Sequence, residues 1–228
     1  MINMLANFKI TVADSIYNKD PESSDLGKRI VRESIELIDE IGYEAFTFKK
    51  LGERIGSNES SIYRYFENKH KLLSYLTSWY WTWIEYQMVI ETHSLNNPIE
   101  KLKKAIEVIS KPVVEDSSIT HINEVTLHRI IINENSKSFL TKEVDKENKE
   151  GYFNVYKSLV LRLKEMIYDV DSSYNYPSSL ASTIVESSLH QHFLNKHFKT
   201  LTDCHDSDIP KFFLTDLAIR TLNTNSNE

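Results

Sequence analysis

Apolar positions along the chain recur mostly three and four residues apart, which is the spacing of one face of an α-helix. The first strong stripe begins after Ser24 or Asp25, either of which can cap a helix, and ends before Gly42, where a left-handed residue typically closes one. Its apolar positions are Ile30, Val31, Ile35, Leu37, Ile38 and Ile41. The pattern predicts a first helix with a wide inward-facing apolar side.

Two short helices are predicted in the stretch that follows, TFKKLGERIGSNESSIYRYFENKHKLL. Thr47 can cap the first of them, in which Leu51 and Ile55 face inward. Gly56 then stands where we expect a tight turn that tolerates no side chain. Asn58 can cap the second, very short helix, which runs to about Phe66. After it, Asn68 can cap a longer helix with Lys69 in its first turn.

The remaining sequence predicts only further helices. The long helix runs to about Glu91, and breaks at NPI, KPVVEDSS, YNYPSS and CHDSDIP separate its successors. We expect these successors at Pro98–Pro112, Asp116–Asn133, Asp145–Val170, Pro177–Phe198 and Asp208–Leu222. No β-hairpin pattern is present. The fold class predicted is therefore all-α, with an N-terminal three-helix domain, a larger C-terminal helical bundle and about nine helices in all.

The N-terminal residues 1–24 are predicted to form an arm. Five apolar residues could make one helical stripe there: Ile2, Leu5, Phe8, Val12 and Ile16. The NKDPESS cluster at residues 18–24 would break it.

Composition restricts the class of protein. The lone Cys204 excludes an internal disulfide, and no apolar run is long enough to span a bilayer. The N-terminus lacks the basic flank of a signal peptide, so we expect a soluble cytoplasmic protein. The net charge is −6, yet residues 49–71 carry six cationic and three acidic side chains, a net charge of +3. A local basic face on an acidic chain is compatible with weak electrostatic attraction to DNA.

The two short helices and their glycine turn have the layout of a helix-turn-helix, in which the second helix offers polar side chains to base edges and flanking groups grip phosphates. Spacing alone leaves this reading and an ordinary helical bundle about equally supported. The segment also resembles the N-terminal domain of TetR-type transcriptional regulators. The matching positions, all correctly spaced, are Gly42, Tyr43, Thr47, Gly56, Tyr63, Phe66, Lys69 and Leu72.

The resemblance implies a set of DNA contacts. Thr47, Tyr63 and Lys69 would hold phosphates, Lys49 would reach bases or backbone, and Arg64 is the candidate for bidentate recognition of guanine. The rest of the implied recognition surface comprises Glu59, Ser60, Ser61 and Tyr65. Two positions depart from the family pattern. Glu59 stands where a lysine is frequent, and Ser57 stands where a small apolar residue usually fills the turn.

The predicted arm occupies residues 1–24. After it, the resemblance implies a helix-turn-helix DNA-binding domain at residues 25–72 and an effector-binding and dimerisation domain at residues 73–228. The last two helices would pair across a two-fold axis, or only complete the core of the monomer. Their apolar positions are Leu180, Ile184, Leu194, Phe198, Phe213, Leu217 and Leu222.

The long fourth helix carries an aromatic stripe at Trp79, Trp83 and Tyr86, one helical turn apart. Such a stripe could wall a pocket for an apolar or aromatic effector, although aromatic residues at helical spacing more often fill a core. His190, His192 and His197 do not have the spacing of metal ligands on one helix face, and no catalytic constellation is apparent. We therefore expect no cofactor, no metal and no enzymatic activity.

The leading hypothesis from the sequence is a homodimeric, cytoplasmic DNA-binding regulator, a repressor that a small-molecule effector releases from a palindromic operator. The alternative is an α-helical ligand-binding or protein-interaction module without specific operator recognition. Glu59, the acidic remainder of the chain and the modest basic patch motivate this alternative. Sequence-selective, salt-dependent binding to a duplex would separate the two.

Overall fold

The structure is a computed structural model, and it describes residue 10 and residues 12–114, 121–206 and 209–223. Within these residues the regular structure is helical and no strand occurs, which confirms the all-α prediction. The ten α-helices are α1 Asp25–Ile41, α2 Phe48–Ile55, α3 Glu59–Tyr63, α4 Lys69–Thr92, α5 Pro98–Ser110, α6 Glu124–Glu134, α7 Val144–Lys149, α8 Asn154–Val170, α9 Pro177–His197 and α10 Ile209–Asn223. None of the described helices is long and apolar enough to cross a membrane.

Two compact units share these helices. The first comprises residues 1–82 and 113–154, and the second comprises residues 83–112 and 155–228. Helix α4 contributes to both, because the division falls between Thr82 and Trp83. The functional boundaries predicted at residues 24 and 72 remain predictions.

The first unit is built around α1, whose inward face packs against α2 and α6. The Ser24 hydroxyl caps this helix by accepting from the backbone N–H of Gly27 at 3.2 Å. At the other end Gly42 has a φ of 78°, which an L side chain rarely adopts. Both ends therefore lie where the sequence predicted them, and the fully buried face includes Ile30, Val31 and Ile35.

The second unit is held together by α5, α9 and α10, each of which packs against the other two. Leu102 and Ile106 of α5, Ile184 of α9 and Leu214 of α10 are fully buried there. The ring of His192 on α9 contacts the backbone carbonyl of Ser110 at 3.0 Å. Burial lowers the pKa of His192, which favours a neutral ring that donates this hydrogen bond.

The prediction of a single helix at Asp145–Val170 is wrong, because the structure has two helices there, α7 and α8. Gly151 lies between them with a φ of 87°, and the backbone N–H of Tyr152 turns back to the carbonyl of Glu147 at 3.1 Å. A left-handed glycine closes α7, so the chain changes direction before Asn154 starts α8.

Two other predicted elements differ from the structure. Helix α6 begins only at Glu124, where the Asn123 side chain accepts from the backbone N–H of Thr126 at 2.9 Å, and residues 115–120 lie outside the described residues. The predicted arm contains two 3₁₀ turns, Asp14–Ile16 and Pro21–Ser23. Of its apolar stripe, Val12 and Ile16 are buried, while Ile2, Leu5 and Phe8 lie outside the described residues.

Candidate nucleic-acid interface

Helix α2 presents a polar face because its apolar residues all point inward. Phe48, Leu51 and Ile55 are buried, and the hydroxyl of Thr47 caps the helix by accepting from the backbone N–H of Lys50 at 3.2 Å. This bond uses the hydroxyl only as an acceptor, so its proton is left to donate to another group. The predicted cap is present, and its side chain lies on the exposed side together with Lys49.

The turn between α2 and α3 depends on two glycines for different reasons. Gly56 adopts the left-handed conformation, with φ 63° and ψ 37°, but a Cβ there would meet nothing within 4 Å. The expectation that space excludes a side chain at Gly56 is therefore wrong, since backbone conformation selects glycine there. Gly52 is the position without space, because a Cβ would lie 2.8 Å from the carbonyl oxygen of Ser57.

Helix α3 is only five residues long and depends on its cap. The Asn58 Oδ1 accepts from the backbone N–H of Ser61 at 3.0 Å and from the hydroxyls of both Ser60 and Ser61 at 2.7 Å. Ile62 is fully buried and fixes which side of the helix faces inward. As a result Ser60 is exposed, whereas Ser61, predicted to lie on the recognition surface, is buried beside the cap.

Tyr63 is the last residue of α3 and is 47% exposed. Its ring meets that of Phe48 edge to face, with centroids 5.1 Å apart, and its hydroxyl donates to Glu59 Oε1 at 3.2 Å. Partial desolvation, followed by the charge of Glu59, raises the pKa of Tyr63, so the phenol stays protonated at neutral pH. Glu59 itself stands in the first turn of α3, where the helix dipole favours an acidic residue.

Tyr65, predicted to lie on or beside the recognition surface, is buried. Its side chain is 3% exposed, and its hydroxyl shares a hydrogen bond with the hydroxyl of Ser24 at 2.8 Å. The Lys19 ammonium donates to the same phenol oxygen at 3.4 Å. Tyr65 therefore ties the end of the motif to the N-terminal segment, an arrangement that no local pattern indicates.

Lys69 begins α4 as predicted, but in this structure its ammonium points into the corner between α1 and α2. It donates to the backbone carbonyls of Tyr43 at 3.1 Å and Glu44 at 3.3 Å, and it lies 4.7 Å from the centre of the Tyr43 ring. A neutral carbonyl leaves the positive charge unneutralised. Lys69 therefore brings a cation to the entrance of α2 whether or not an anion is present.

The cations of this segment are not equivalent. Arg54 donates to Glu33 at 2.8 Å and forms a bidentate pair with Glu40 at 2.6 and 2.8 Å. Two carboxylates thus neutralise the charge of Arg54, and these ion pairs link α2 to α1. Lys49 and Arg64, by contrast, are exposed and make no ion pair within the described part of the chain. The positive charge available to a ligand is therefore smaller than the residue count indicates.

The aromatic stripe of α4 divides by burial. Trp79 is 2% exposed and Trp83 is 4% exposed, while Tyr86 is only half-buried. Their neighbours Tyr80 and Trp81, which the sequence did not single out, make polar contacts inside the first unit. The Tyr80 hydroxyl meets His128 Nδ1 at 2.8 Å, and the indole N–H of Trp81 donates to Asn135 at 3.2 Å.

An open cavity of about 440 Å³ lies in the second unit between α5 and α10, and none of the three stripe residues lines it. Its walls are Leu95, Glu100, Lys103, Lys104, Glu107, Lys211, Phe212 and Thr215. Among the residues that the structure describes, no group of three acidic, histidine or cysteine side chains could hold a metal ion.

Helices α9 and α10 leave aromatic side chains uncovered. Of the predicted apolar face, Leu180, Ile184, Leu194 and Leu222 are buried within the chain. Phe198 and Phe213 are 50% and 43% exposed, and Phe212, which the sequence did not single out, is 63% exposed. One part of the predicted face therefore completes the core and another remains exposed, and the pairing across a two-fold axis stays a prediction.

Three comparisons with known proteins find chains similar to this one. Residues 30–76 match the family model described as bacterial regulatory proteins, tetR family. The tetracycline repressor protein class A from transposon 1721 of Escherichia coli is 30% identical over 69 residues. That match covers 30% of this chain and 28% of the repressor, so less than a third of the repressor's length is represented.

Two solved structures extend the likeness over most of the chain. The crystal structure of AibR in complex with isovaleryl coenzyme A and operator DNA has a TM-score of 0.58 at 18% identity, and the match covers 83% of this chain and 97% of that one. The fatty acid degradation regulator FadR from Bacillus halodurans has a TM-score of 0.59 at 15% identity, with 88% and 96% covered. At these identities the likeness is one of fold.

Proposed function

We propose that the chain is a DNA-binding transcriptional regulator of the TetR family, because residues 30–76 match that family's model and its fold resembles those of AibR and FadR. In this proposal it acts in the cytoplasm as a homodimer, represses from a palindromic operator and is released by a small-molecule effector. No step requires catalysis by the protein.

The observation that carries the proposal is the set of exposed polar side chains on and beside α2 and α3. Arg64 and Lys49 are exposed without an acidic partner in the described chain, and the exposed residues Thr47, Ser60 and Tyr63 add hydroxyls to the same short segment. Arginine can donate two parallel hydrogen bonds to guanine, and hydroxyls and lysines are suited to phosphates. We assign base contact to Arg64 and Ser60, and phosphate contact to Thr47, Lys49, Tyr63 and Lys69.

The proposed contact set is smaller than the one that the sequence resemblance implied. Burial of Ser61 and Tyr65 supports a structural role for both, in the cap of α3 and in the junction with the N-terminal segment. Glu59 stays in the set only as a neighbour of Tyr63, because a carboxylate facing DNA would repel phosphate unless it accepted a bond from a cytosine amino group.

The dimer is proposed to use the exposed aromatic side chains at the end of α9 and on α10. Phe198, Phe212 and Phe213 would bury their rings against a second copy, and burial of apolar area is the main driving force for such association. Related by a two-fold axis, two α3 helices can enter successive major grooves only if they stand about 34–36 Å apart, or a multiple of that.

For the effector we propose an apolar or aromatic small molecule that binds C-terminal to residue 72, with Trp79, Trp83 and Tyr86 as candidate contacts on α4. Of two structures with a similar fold, one is a complex with isovaleryl coenzyme A and the other is a fatty acid degradation regulator, which favours an acyl-bearing compound. An effector releases DNA only by as much as its affinity differs between the two conformations.

The alternative function, an interaction module without operator recognition, is favoured by one observation. Glu33 and Glu40 neutralise Arg54, and Glu59 adds negative charge to α3, so the surface carries little net attraction for DNA.

One experiment separates the two functions. Purified protein is mixed with sheared genomic DNA at about 100 mM salt, and the retained fragments are sequenced. The proposal expects enrichment of fragments that share an inverted repeat, with affinity that falls as salt rises because counterions are released. Retention without a shared sequence, or no retention at any salt concentration, would instead support the interaction module.

A further inference from the structure

Residues 13–24, which we call the strap, contact the end of α3 where the candidate base-reading side chain begins. The backbone N–H of Asn18 donates to the carbonyl of Tyr65 at 2.8 Å, and the Asn18 side-chain amide donates to the carbonyl of Tyr63 at 3.1 Å. These two carbonyls flank Arg64. One strap residue therefore fixes the backbone on both sides of Arg64.

The end of α3 depends on contacts made outside the helix itself. The helix has five residues, far fewer than the roughly 12–15 that an isolated helix needs to be even marginally stable in water. The carbonyl of Ile62 accepts from the backbone N–H groups of Tyr65 and Phe66 at 2.8 and 3.1 Å. The carbonyl of Tyr63, the last residue of α3, instead accepts from outside the segment, from Asn18. Asn18 thus supplies one donor to the last carbonyl of α3 and one to the carbonyl of Tyr65 just beyond it. The phenol of Tyr65 supplies a further tie to the strap through Ser24 and Lys19.

The strap is itself anchored to the rest of the first unit. The carbonyl of Ser15 accepts from the Lys71 ammonium at 2.9 Å and from the Tyr152 hydroxyl at 3.0 Å. Ile16 is fully buried. Pro21 lies so close to α1 that a Cβ on Gly27 would come within 2.2 Å of its carbonyl oxygen. Because the strap is anchored at these places, its hydrogen bonds can hold the end of α3 in one position.

We propose that the strap is a positioning element for operator recognition and that Asn18 is its key residue, acting through Arg64 without touching DNA. The proposal rests on the function proposed above. Arginine recognises guanine through two bonds of defined geometry, so a small displacement of the backbone that carries Arg64 lowers discrimination between bases more than it lowers attraction to phosphates. Asn18 therefore acts on specificity.

The test is a double-mutant cycle with a matched control. Asn18→Ala removes the bond to Tyr63, while Ser23→Ala removes a bond that stays within the strap, from the Ser23 hydroxyl to the carbonyl of Asp20. We expect Asn18→Ala to weaken operator binding by about 3- to 10-fold, the effect of one hydrogen bond. Binding to a scrambled duplex and the melting temperature should stay near wild type, as all three should in Ser23→Ala.

Positioning is distinguished from a general structural role by the Arg64→Ala background. If Asn18 acts through Arg64, adding Asn18→Ala to Arg64→Ala should lower operator affinity by less than about twofold, because interacting residues are non-additive. An undiminished effect in that background would overturn the proposal. Tyr65→Phe, which removes the other tie without leaving a cavity, should give a loss of about 2- to 10-fold with the same dependence on Arg64.

Amide hydrogen exchange of the free protein tests whether the strap holds α3 without requiring that the protein bind DNA. Asn18→Ala should raise exchange in residues 59–66 relative to both wild type and Ser23→Ala. Unchanged exchange there would contradict the strap's role even if DNA binds. Faster exchange in a protein that selects no duplex would show that the strap holds α3 and that the proposed function has failed.

Discussion

The recognition segment and the C-terminal helices are stabilised in opposite ways. Helices α2 and α3 are short, and each begins with a side-chain cap, from Thr47 and from Asn58. Helix α9 has 21 residues, no side-chain cap at its start and a buried apolar face. The first region is specified by individual hydrogen bonds and exposes polar groups. The second is specified by apolar burial and exposes phenylalanine rings.

The difference indicates which kind of partner each surface can bind. Polar groups held by defined bonds can match the donors and acceptors of DNA, where geometry decides specificity. Exposed aromatic rings beside a buried apolar core suit a second protein surface, since aromatic residues are enriched in such interfaces. The two regions therefore support the proposed division between DNA recognition and self-association.

The largest effect is expected from breaking the C-terminal surface. The double substitution Phe212→Glu with Phe213→Glu places two charges where the dimer would bury apolar rings. We expect monomers by light scattering and a loss of operator affinity of about 10²- to 10⁴-fold, because two linked half-sites bind far more tightly than one. Leu161→Glu, on the similarly exposed Leu161 of α8, should leave both measurements unchanged.

Dimers that persist in the double variant would show that these rings do not form the interface. Ile184 is unsuitable for this purpose, because it is fully buried within the chain and a charge there would unfold the protein.

The next effect concerns the stability of the turn between α2 and α3. Gly52→Ala should lower the free energy of unfolding by about 1–3 kcal/mol, because its methyl group would overlap the backbone at Ser57. Gly56→Ala has space but keeps an unfavourable φ, so its cost should be about 1–2 kcal/mol. Chemical denaturation measures both, and a Gly52→Ala variant as stable as wild type would contradict the close approach.

How far the sequence predicts these features depends on the distance between the interacting residues. The caps at Thr47 and Asn58 and the position of the turn at Gly56, though not the reason for its glycine, were predicted correctly, because each involves bonds between residues at most four apart. The burial of Tyr65 and the neutralisation of Arg54 were missed. Their partners, such as Ser24 and Glu40, lie 41 and 14 residues away, and only the folded chain brings them together.

The same reason explains the role of the strap and the division at Gly151. A cluster such as NKDPESS predicts a break in a helix, but it does not indicate which carbonyls its donors reach. Similarly, a glycine within an apolar helical pattern is often tolerated, so Gly151 did not indicate a break. Its left-handed conformation accompanies the hydrogen bond from the backbone N–H of Tyr152 to the carbonyl of Glu147, which the sequence does not reveal.

A smaller effect is expected from single cations facing DNA. Lys49→Ala should reduce the slope of log affinity against log salt concentration by about 0.9, the value for one phosphate contact. Arg54→Ala should change this slope much less, because Glu33 and Glu40 already neutralise that guanidinium. Equal slope changes in the two variants would show that the ion pairs open on the DNA.

The smallest effect concerns acid stability. The hydrogen bond from Arg54 is the main cause that lowers the pKa of Glu33 below its ordinary value of 4.5. A carboxylate with a lowered pKa in the folded state stabilises the fold above about pH 4.5, and this contribution is lost as the pH falls further. Arg54→Ala should reduce the loss of stability on acidification by less than about 1 kcal/mol, since the pair is partly exposed. Denaturation at pH 3.5 and 6.5 measures it.

Base recognition is proposed to depend most on Arg64, held at the end of α3. The direct measurement is the affinity of wild type and Arg64→Ala for the operator and for every single-base variant of one half-site. We predict that Arg64→Ala loses about 1–3 kcal/mol on the operator and no longer discriminates at one base pair, where wild type prefers guanine. If Arg64→Ala keeps the full wild-type preference at every position, the claim is wrong.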